Sequence, residues 1–376
     1  MKRRLSIAQI GSRGIPGHRG GVERVIEAVA PRLVALGHEV TVSCATWSEF
    51  RAPTYRGVKL RYVFSVRSKY LDTFLRSLLS TLRECFGSSD VLHLHSMASA
   101  PLALFARLSG KKVVVTVHGL EWQRGKWQGL WRILLRLGER AAMRIPHRTV
   151  VVGPELKRIL DRRYDADVIY IPNGVEPRPG RAPERIRQFG IGSRDYLLFL
   201  GRLVPDKRCH LLIDAFRKLG DRANKKLIMA GPTWHSADYV SSLRQLAGDD
   251  PDIVFTGEVD EDVLEELYTN CYAYVLPSEV EGMSLALLDA MAFGACVVAS
   301  DIAPNADVVG GAGILFASGS ADDLARKLEQ LLGDPDRAQK LRAMARQRMT
   351  SEFDWDKIAR QWEEVYLGLY GTQAQG

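Results

Sequence analysis

Two cations and two carboxylates in the second half of the chain have the types and spacing of a site that receives a leaving group. Arg202 and Lys207 stand in Gly201-Arg202-Leu203-Val204-Pro205-Asp206-Lys207, directly after an apolar, strand-like run. A fork-shaped guanidinium and a point-charge ammonium on one loop can jointly neutralise a departing diphosphate. Taken alone, so short a motif is better explained as a solvated charged loop. Glu281 and Asp289 lie eight residues apart in a segment that also holds Gly282, Met283 and Ser284. With a helix expected to start near Met283, eight residues is close to two turns, which puts both carboxylates on one side. One can grip a sugar and the other a ribose diol, while N–H groups at the helix start meet phosphate or sugar oxygens. An acidic helix start favoured by the helix dipole is the competing explanation, and it leaves the intervening glycine and small residues unexplained.

The first half offers a glycine-rich loop, residues 11–21, that ends in Gly20 and Gly21 ahead of an expected helix over 22–36. Glycines let the backbone approach an anion, and the helix start supplies N–H groups. The spacing departs from Gly-x-Gly-x-x-Gly, so the loop by itself does not separate a phosphate site from a flexible connection. His118 follows an expected strand over 113–117, where an imidazole can donate to a sugar hydroxyl or a departing oxygen. A structural histidine is the alternative. His93 and His95 alternate along a strand and are expected to face opposite sides.

Arg132, Arg136, Arg140 and Arg144 recur every four residues after Trp127 and Trp131, with Arg124 and Lys126 nearby. A basic stripe with aromatic anchors suits an anionic membrane surface or an acceptor-facing surface. A solvated helix face with the tryptophans in the core is the alternative.

The elements that must position these residues follow an alternating rhythm. Strands are expected at 5–10, 39–44, 91–94, 113–117, 149–152 and 168–171, with amphipathic helices between them. A polar, proline-rich stretch over 176–187 reads as a linker. A second series then begins, with strands at 196–200, 226–229, 253–255, 273–276, 297–299 and 314–316. The fold class is α/β, with two doubly wound, Rossmann-like domains over 1–175 and 188–353. A last helix at about 354–370 carries Trp355, Ile358, Trp362, Val365 and Tyr366 at helical spacing, as a docking face for the first domain.

At 46% hydrophobic and 26% charged residues the chain is a folded globular protein rather than a disordered one. Its five cysteines are scattered, which suits a reducing cytoplasm and argues against a disulfide framework or a zinc site. No secretion signal and no bilayer-spanning run is evident, so any membrane contact is expected to be peripheral. Residues 1–180 hold 30 basic and 14 acidic side chains, a net of +16, whereas residues 181–376 hold 22 and 30, a net of −8. The basic half suits nucleic acid, anionic lipid or a phosphate-bearing acceptor.

Gly20-Gly21-Val22-Glu23, the His118 loop, Ile171-Pro172-Asn173-Gly174-Val175, Gly201-Arg202 through Lys207, and the Glu281 to Asp289 segment together resemble family 4 of the glycosyltransferases. The resemblance covers nearly the whole chain in the family's order. It implies the GT-B architecture, two Rossmann-like domains facing a central cleft, and transfer with retention of anomeric configuration, without a metal or other cofactor. By the same resemblance Arg202 and Lys207 hold the donor diphosphate, Glu281 the donor sugar and Asp289 the ribose. Gly21 then approaches phosphate or sugar, and His118 contacts the sugar. Asp289 departs from the family's Glu-x7-Glu by one methylene. Residues 118–148 resemble polysaccharide-assembly members, which implies bacterial surface-glycan synthesis on a glycan or lipid-linked acceptor, and the resemblance to the family as a whole implies a nucleotide-sugar donor, with a UDP-sugar expected from the family's usage.

A nucleotide-sugar epimerase of similar fold would carry acid/base carboxylates and need no acceptor. A nucleic-acid binder would use the basic half, but no helix-turn-helix, zinc or RNA-binding signature accompanies it. Asp250-Pro251-Asp252 and Asp334-Pro335-Asp336 match a metal-binding Asp-x-Asp superficially and read as turns or helix caps.

Overall fold

β-branched and leucine-rich runs too short for helices build parallel strands in both halves, and amphipathic stretches cover them on either face. The computed structural model describes residues 3–17, 20–48, 50–66, 71–123, 129–233 and 236–371. The chain forms two units, Met1–Asn173 with Trp355–Gly376, and Gly174–Asp354.

The first unit runs β1 (Ser6–Ile10), α1 (Gly21–Ala35), β2 (Glu39–Ala45), β3 (Thr54–Tyr55), β4 (Val58–Val63), α2 (Leu71–Cys85) and β5 (Val91–Leu94). It continues with α3 (Ala103–Leu108), β6 (Lys112–Val117), α4 (Leu130–Arg144), β7 (Arg148–Val151), α5 (Pro154–Tyr164) and β8 (Ile169–Tyr170). The sheet order is β3-β4-β2-β1-β5-β6-β7-β8, parallel except for the β3/β4 pair. Successive residues face opposite sides, so Ile7 joins one apolar cluster and Ala8 the other. Strand β4 escaped the sequence reading because charged Lys59 and Arg61 interrupt its apolar pattern.

The second unit runs β9 (Tyr196–Leu200), α6 (Cys209–Lys218), β10 (Lys226–Ala230), α7 (Ala237–Ala247), β11 (Ile253–Gly257), α8 (Glu261–Asn270) and β12 (Ala273–Leu276). Then come α9 (Leu285–Ala292), β13 (Cys296–Ser300), α10 (Ala303–Val309), β14 (Ile314–Phe316), α11 (Ala321–Leu332) and α12 (Pro335–Glu352). Its sheet is ordered β11-β10-β9-β12-β13-β14, so the winding reverses between β9 and β12. In a doubly wound sheet, ligands bind at such a reversal, beyond the carboxyl ends of the strands.

The final helix, α13 (Trp355–Gly368), buries Trp355, Ile358, Trp362 and Tyr366 in the core of the first unit, while Phe353 just before it belongs to the core of the second. The proline-rich stretch read as a linker is instead held onto the second unit. Arg178 and Arg181 pair with Glu265, Arg185 grips Asp260 at 2.6 and 2.9 Å, and Glu266 accepts the backbone N–H groups of Glu184, Arg185 and Ile186. A polar, proline-bearing composition signals exposure, and here the exposed side chains are arginines that find a row of acids on α8.

Candidate functional site

The reversal in the second unit gathers the expected donor residues on two neighbouring loops. After β9 the chain runs Gly201 to Val204 and then makes a single 3₁₀ turn, Pro205–Lys207. After β12 it runs Pro277 to Met283 without regular structure. The two loops are stitched together: Glu279 N–H donates to the Asp206 carbonyl at 3.1 Å, Arg208 Nε to Glu279 at 2.7 Å, and Lys207 Nζ to the Glu281 carboxylate. Lys207 and Glu281 are both largely withdrawn from solvent, whereas Arg202 is exposed on the same loop as Lys207. Gly231, at the end of β10, was not singled out from the sequence. It sits at φ +139°, and a Cβ there would lie 2.0 Å from the Gly201 carbonyl oxygen, so its lack of a side chain is what lets the Gly201 loop take its place.

Helix α9 starts at Leu285, two residues later than expected, with buried Ser284 as its N-cap accepting from Leu287 N–H at 3.3 Å. Glu281 lies in the loop before the helix, as expected, but the two-turn spacing that was to align it with Asp289 does not exist. Gly282 and Met283 bridge this gap, Met283 packing against the core. The two carboxylates nonetheless act on a common group. Tyr274, fully buried on β12 with its hydroxyl donating to the Leu200 carbonyl at 3.2 Å, has its ionisation pushed well up, first by burial and then by the charges of Glu281 and Asp289.

In the first unit the reversal lies between β1 and β5, with β6 next to β5, so the glycine loop, His95 and His118 share one sheet edge. Gly20 is the extended N-cap residue of α1, and Gly21, exposed, is its first residue. The loop N–H groups here are met by acids from α1. Arg13 N–H donates to Glu23 at 3.0 Å, Gly17 N–H to Glu27 at 2.9 Å, and the Glu23 carboxylate lies over Gly20. This loop presents carboxylates where a phosphate site presents bare N–H groups.

His118 is half-buried, its ring stacked 5.7 Å from that of His95. His93 and His95 do not face opposite sides: their ring centres are 3.8 Å apart, because residues two apart along an extended chain share a face, so the expectation misread the strand period. His93 bonds the Tyr366 hydroxyl at 2.7 Å and Thr116 at 2.6 Å, and His95 bonds Gln9, whose amide reaches Tyr366 at 3.1 Å. Burial holds both imidazoles well below the usual histidine range, with the neighbouring histidines adding to the effect. Sequence reasoning missed this network since its members are scattered from Gln9 to Tyr366.

Helix α4 leaves Arg132, Arg136, Arg140 and Arg144 exposed, together with Leu130, Trp131, Ile133, Leu134 and Leu137. Arg124, Lys126 and Trp127 lie outside the described residues. Neither Asp-x-Asp pair forms a cluster. Asp250 and Asp252 pair with Arg222, and Asp334 caps α12 through Arg337 N–H at 2.9 Å.

Residues 182–348 match the sequence model of the glycosyl transferases group 1, and residues 19–178 match that of glycosyltransferase family 4. Over 94% of its length the chain is 27% identical to the GDP-mannose-dependent alpha-(1-6)-phosphatidylinositol monomannoside mannosyltransferase of Mycobacterium tuberculosis, covering 96% of that protein. Sucrose-phosphate synthase from Thermosynechococcus elongatus superposes with a TM-score of 0.84 at 21% identity, over 98% of this chain and 100% of that one. Anabaena HepE in complex with UDP and glucose gives 0.81 at 18% identity, over 97% and 100%. These matches, together with two doubly wound units whose strand-end loops carry the expected residues, show that the chain is a glycosyltransferase of family 4 with the GT-B fold.

Proposed function

We propose that the protein is a retaining glycosyltransferase that moves a sugar from a nucleotide-diphosphate sugar to the hydroxyl of a glycan or lipid-linked acceptor in bacterial surface-glycan synthesis. The observation that carries this reading is the contact of Lys207 with Glu281 across the two loops at the reversal of the second sheet. Glu281 holds the ammonium beside the place a diphosphate must occupy, and an arriving phosphate takes over as its partner. Arg202, on the same loop, adds the second cation to the leaving group, while Glu281 turns to the sugar hydroxyls. Gly201 and the 282–284 segment let the donor lie close to the backbone, and Asp289 reaches the ribose. In the first unit His118 contacts the transferred sugar. Gly20, overlain by the Glu23 carboxylate, and Gly21 next to it meet hydroxyls rather than phosphate. No metal or other cofactor takes part, and the leaving diphosphate oxygen assists removal of the acceptor proton on the same face of the sugar.

The mannosyltransferase and the HepE complex carry different bases in their names, guanine in GDP-mannose and uracil in UDP. Thermal-shift titration with UDP, GDP, ADP and dTDP, then with the matching sugar nucleotides, identifies the donor. Anomeric analysis of the product by NMR follows. A product of inverted configuration, or epimerised donor in the absence of any acceptor, overturns the reading.

The same reading places the enzyme in the cytoplasm, at the inner face of the membrane and peripheral to it. No helix among the described residues is long and apolar enough to cross a membrane. What supports peripheral contact is the exposed apolar side of α4 beside its four arginines, and α2 and α3 of the same unit also expose Phe74, Leu82, Leu104, Phe105 and Leu108. Each basic residue near an anionic leaflet contributes about 1 kcal/mol. Vesicle sedimentation tests it, with binding expected to anionic and not neutral vesicles, weakened by salt and by Arg132→Glu with Arg136→Glu. Equal failure to bind both vesicle types at low salt overturns it.

A further inference from the structure

Beside α4 the first unit carries a cavity of about 440 Å³ that none of these roles employs. One wall is the indole of Trp122, over which the guanidinium groups of Arg136, Arg132 and Arg163 lie 4.7, 5.6 and 5.7 Å from the ring centre. Stacking of this kind occupies the faces of the guanidinium groups and leaves their N–H edges for hydrogen bonds. Arg140 lines the same cavity, and Ile133 and Leu137 give it an apolar side.

The cavity contains one carboxylate, and it is fully engaged. Glu139, 2% exposed, accepts from Trp122 Nε1, from Arg163 Nη1 at 2.6 Å and from Tyr164 Oη at 2.7 Å. Arg163 is thereby balanced. Arg136 and Arg140 line the cavity with no carboxylate partner among the described residues. Two like charges one helical turn apart repel each other, and a shared anion removes that repulsion.

We propose that this cavity binds the phosphate headgroup of an anionic phospholipid, with Arg136 and Arg140 on the phosphate and the start of an acyl chain against Ile133 and Leu137. A lipid is favoured over free phosphate because the apolar side runs on into exposed Leu130, Trp131 and Leu134 of the same helix, which a small anion cannot use. The proposal rests on the membrane reading of α4 and sharpens it. A diffuse basic surface reads charge alone, whereas stacked guanidinium groups around a cavity read fork geometry.

The test is calorimetric titration of the full chain with short-chain phosphatidylglycerol below its micellar concentration, with short-chain phosphatidylcholine and inorganic phosphate in parallel. Saturable binding of phosphatidylglycerol is expected, weakened about tenfold or more by Arg136→Lys with Arg140→Lys, which keeps the charge and removes the forks. Arg326→Ala, an exposed arginine on α11 of the second unit, is expected to change it little. Sedimentation with anionic vesicles separates this from the surface reading. Vesicle binding that survives the double lysine exchange, with no saturable binding of the monomeric lipid, overturns the cavity and leaves the surface reading in place. Fork-dependent binding of the monomeric lipid without vesicle binding keeps the cavity and rejects the surface. Inorganic phosphate binding as tightly as the lipid overturns the lipid assignment.

Discussion

The two units share one strand order around their sheet reversals and put opposite chemistry at the ends of those strands. In the second unit, within the half of the chain whose net charge is −8, the loop after β9 presents Arg202, Lys207 and Arg208, the last two held by Glu281 and Glu279 of the loop after β12. In the first, within the half that carries +16, the loop after β1 is bound by Glu23 and Glu27, and the strand ends beyond it hold histidines kept neutral by burial. Bulk charge therefore misassigns the phosphate site. The surplus of the first half lies in part on α4, far along the chain from the glycine loop, and the deficit of the second is taken up by acids such as Glu265 and Asp260 that hold the 176–187 segment.

Removing a cation from the second unit is the sharpest way to break this contrast. Lys207→Ala or Arg202→Ala is expected to lower turnover by about a hundredfold or more, since each stabilises charge that develops on the leaving diphosphate. Glu281→Gln is expected to be comparably damaging, as it removes both the sugar contact and the partner that positions Lys207. Steady-state kinetics on folded, purified variants checks this, and wild-type turnover in any of them removes that residue from the site.

The placement of these residues was legible in the sequence because each lies in the loop after a strand, so a strand reading alone put it at a carboxyl end. What was not legible depended on where elements stop. The alignment of Glu281 with Asp289 was argued from helical spacing although α9 begins only at Leu285 rather than Met283, and His95 was set on the wrong side by a different fault, a misread strand period, since residues two apart share a face. The Gln9, His93, His95, Thr116 and Tyr366 network and the Glu139 hub each join residues distant in sequence, and only the packing of α13 and α5 brings them together.

The next contrast is in pH response. His93 and His95 are buried neutral, with folded-state values well below the ordinary 6.5, so the unfolded chain binds the extra protons as pH falls. Their contribution to stability is complete above the unfolded value and is lost below it, at up to about 1.4 kcal/mol per pH unit for each histidine. Denaturant unfolding of the wild type should show the first unit weakening between pH 7 and pH 5, and His93→Gln with His95→Gln should flatten that dependence. A wild-type profile as flat as the variant's would mean that the imidazoles do not titrate on unfolding.

A smaller effect is expected from Tyr366→Phe, which leaves His93 Nδ1 and the Gln9 amide without their shared hydroxyl in a buried site. The cost is about 1–3 kcal/mol of stability, confined to the unit that α13 completes, with donor affinity in the second unit unchanged. Loss of nucleotide binding in this variant would contradict the assignment of the donor to the second unit.

The smallest expected effect tests the one residue of the second unit that departs from the family pattern. Asp289 lies one turn into α9, half-buried, near enough for its charge to act on Tyr274 together with that of Glu281. A carboxylate on one methylene fewer reaches about 1.3 Å less far than glutamate, so its hold on a ribose diol is the weaker of the two. Asp289→Glu should restore that reach and tighten donor binding by only about two- to fivefold, the scale of a partly solvated charged contact. Asp289→Ala should weaken donor binding by more than Asp289→Glu strengthens it, because it removes the acceptor atoms altogether. Calorimetric titration of the nucleoside diphosphate and of its ribose-modified 2′,3′-dideoxy analogue against all three proteins reads the contact directly. If Asp289 holds the ribose, the three proteins differ for the natural nucleotide and converge for the analogue. Equal affinities for the natural nucleotide across all three would make Asp289 a helix-face carboxylate with no hold on the ribose.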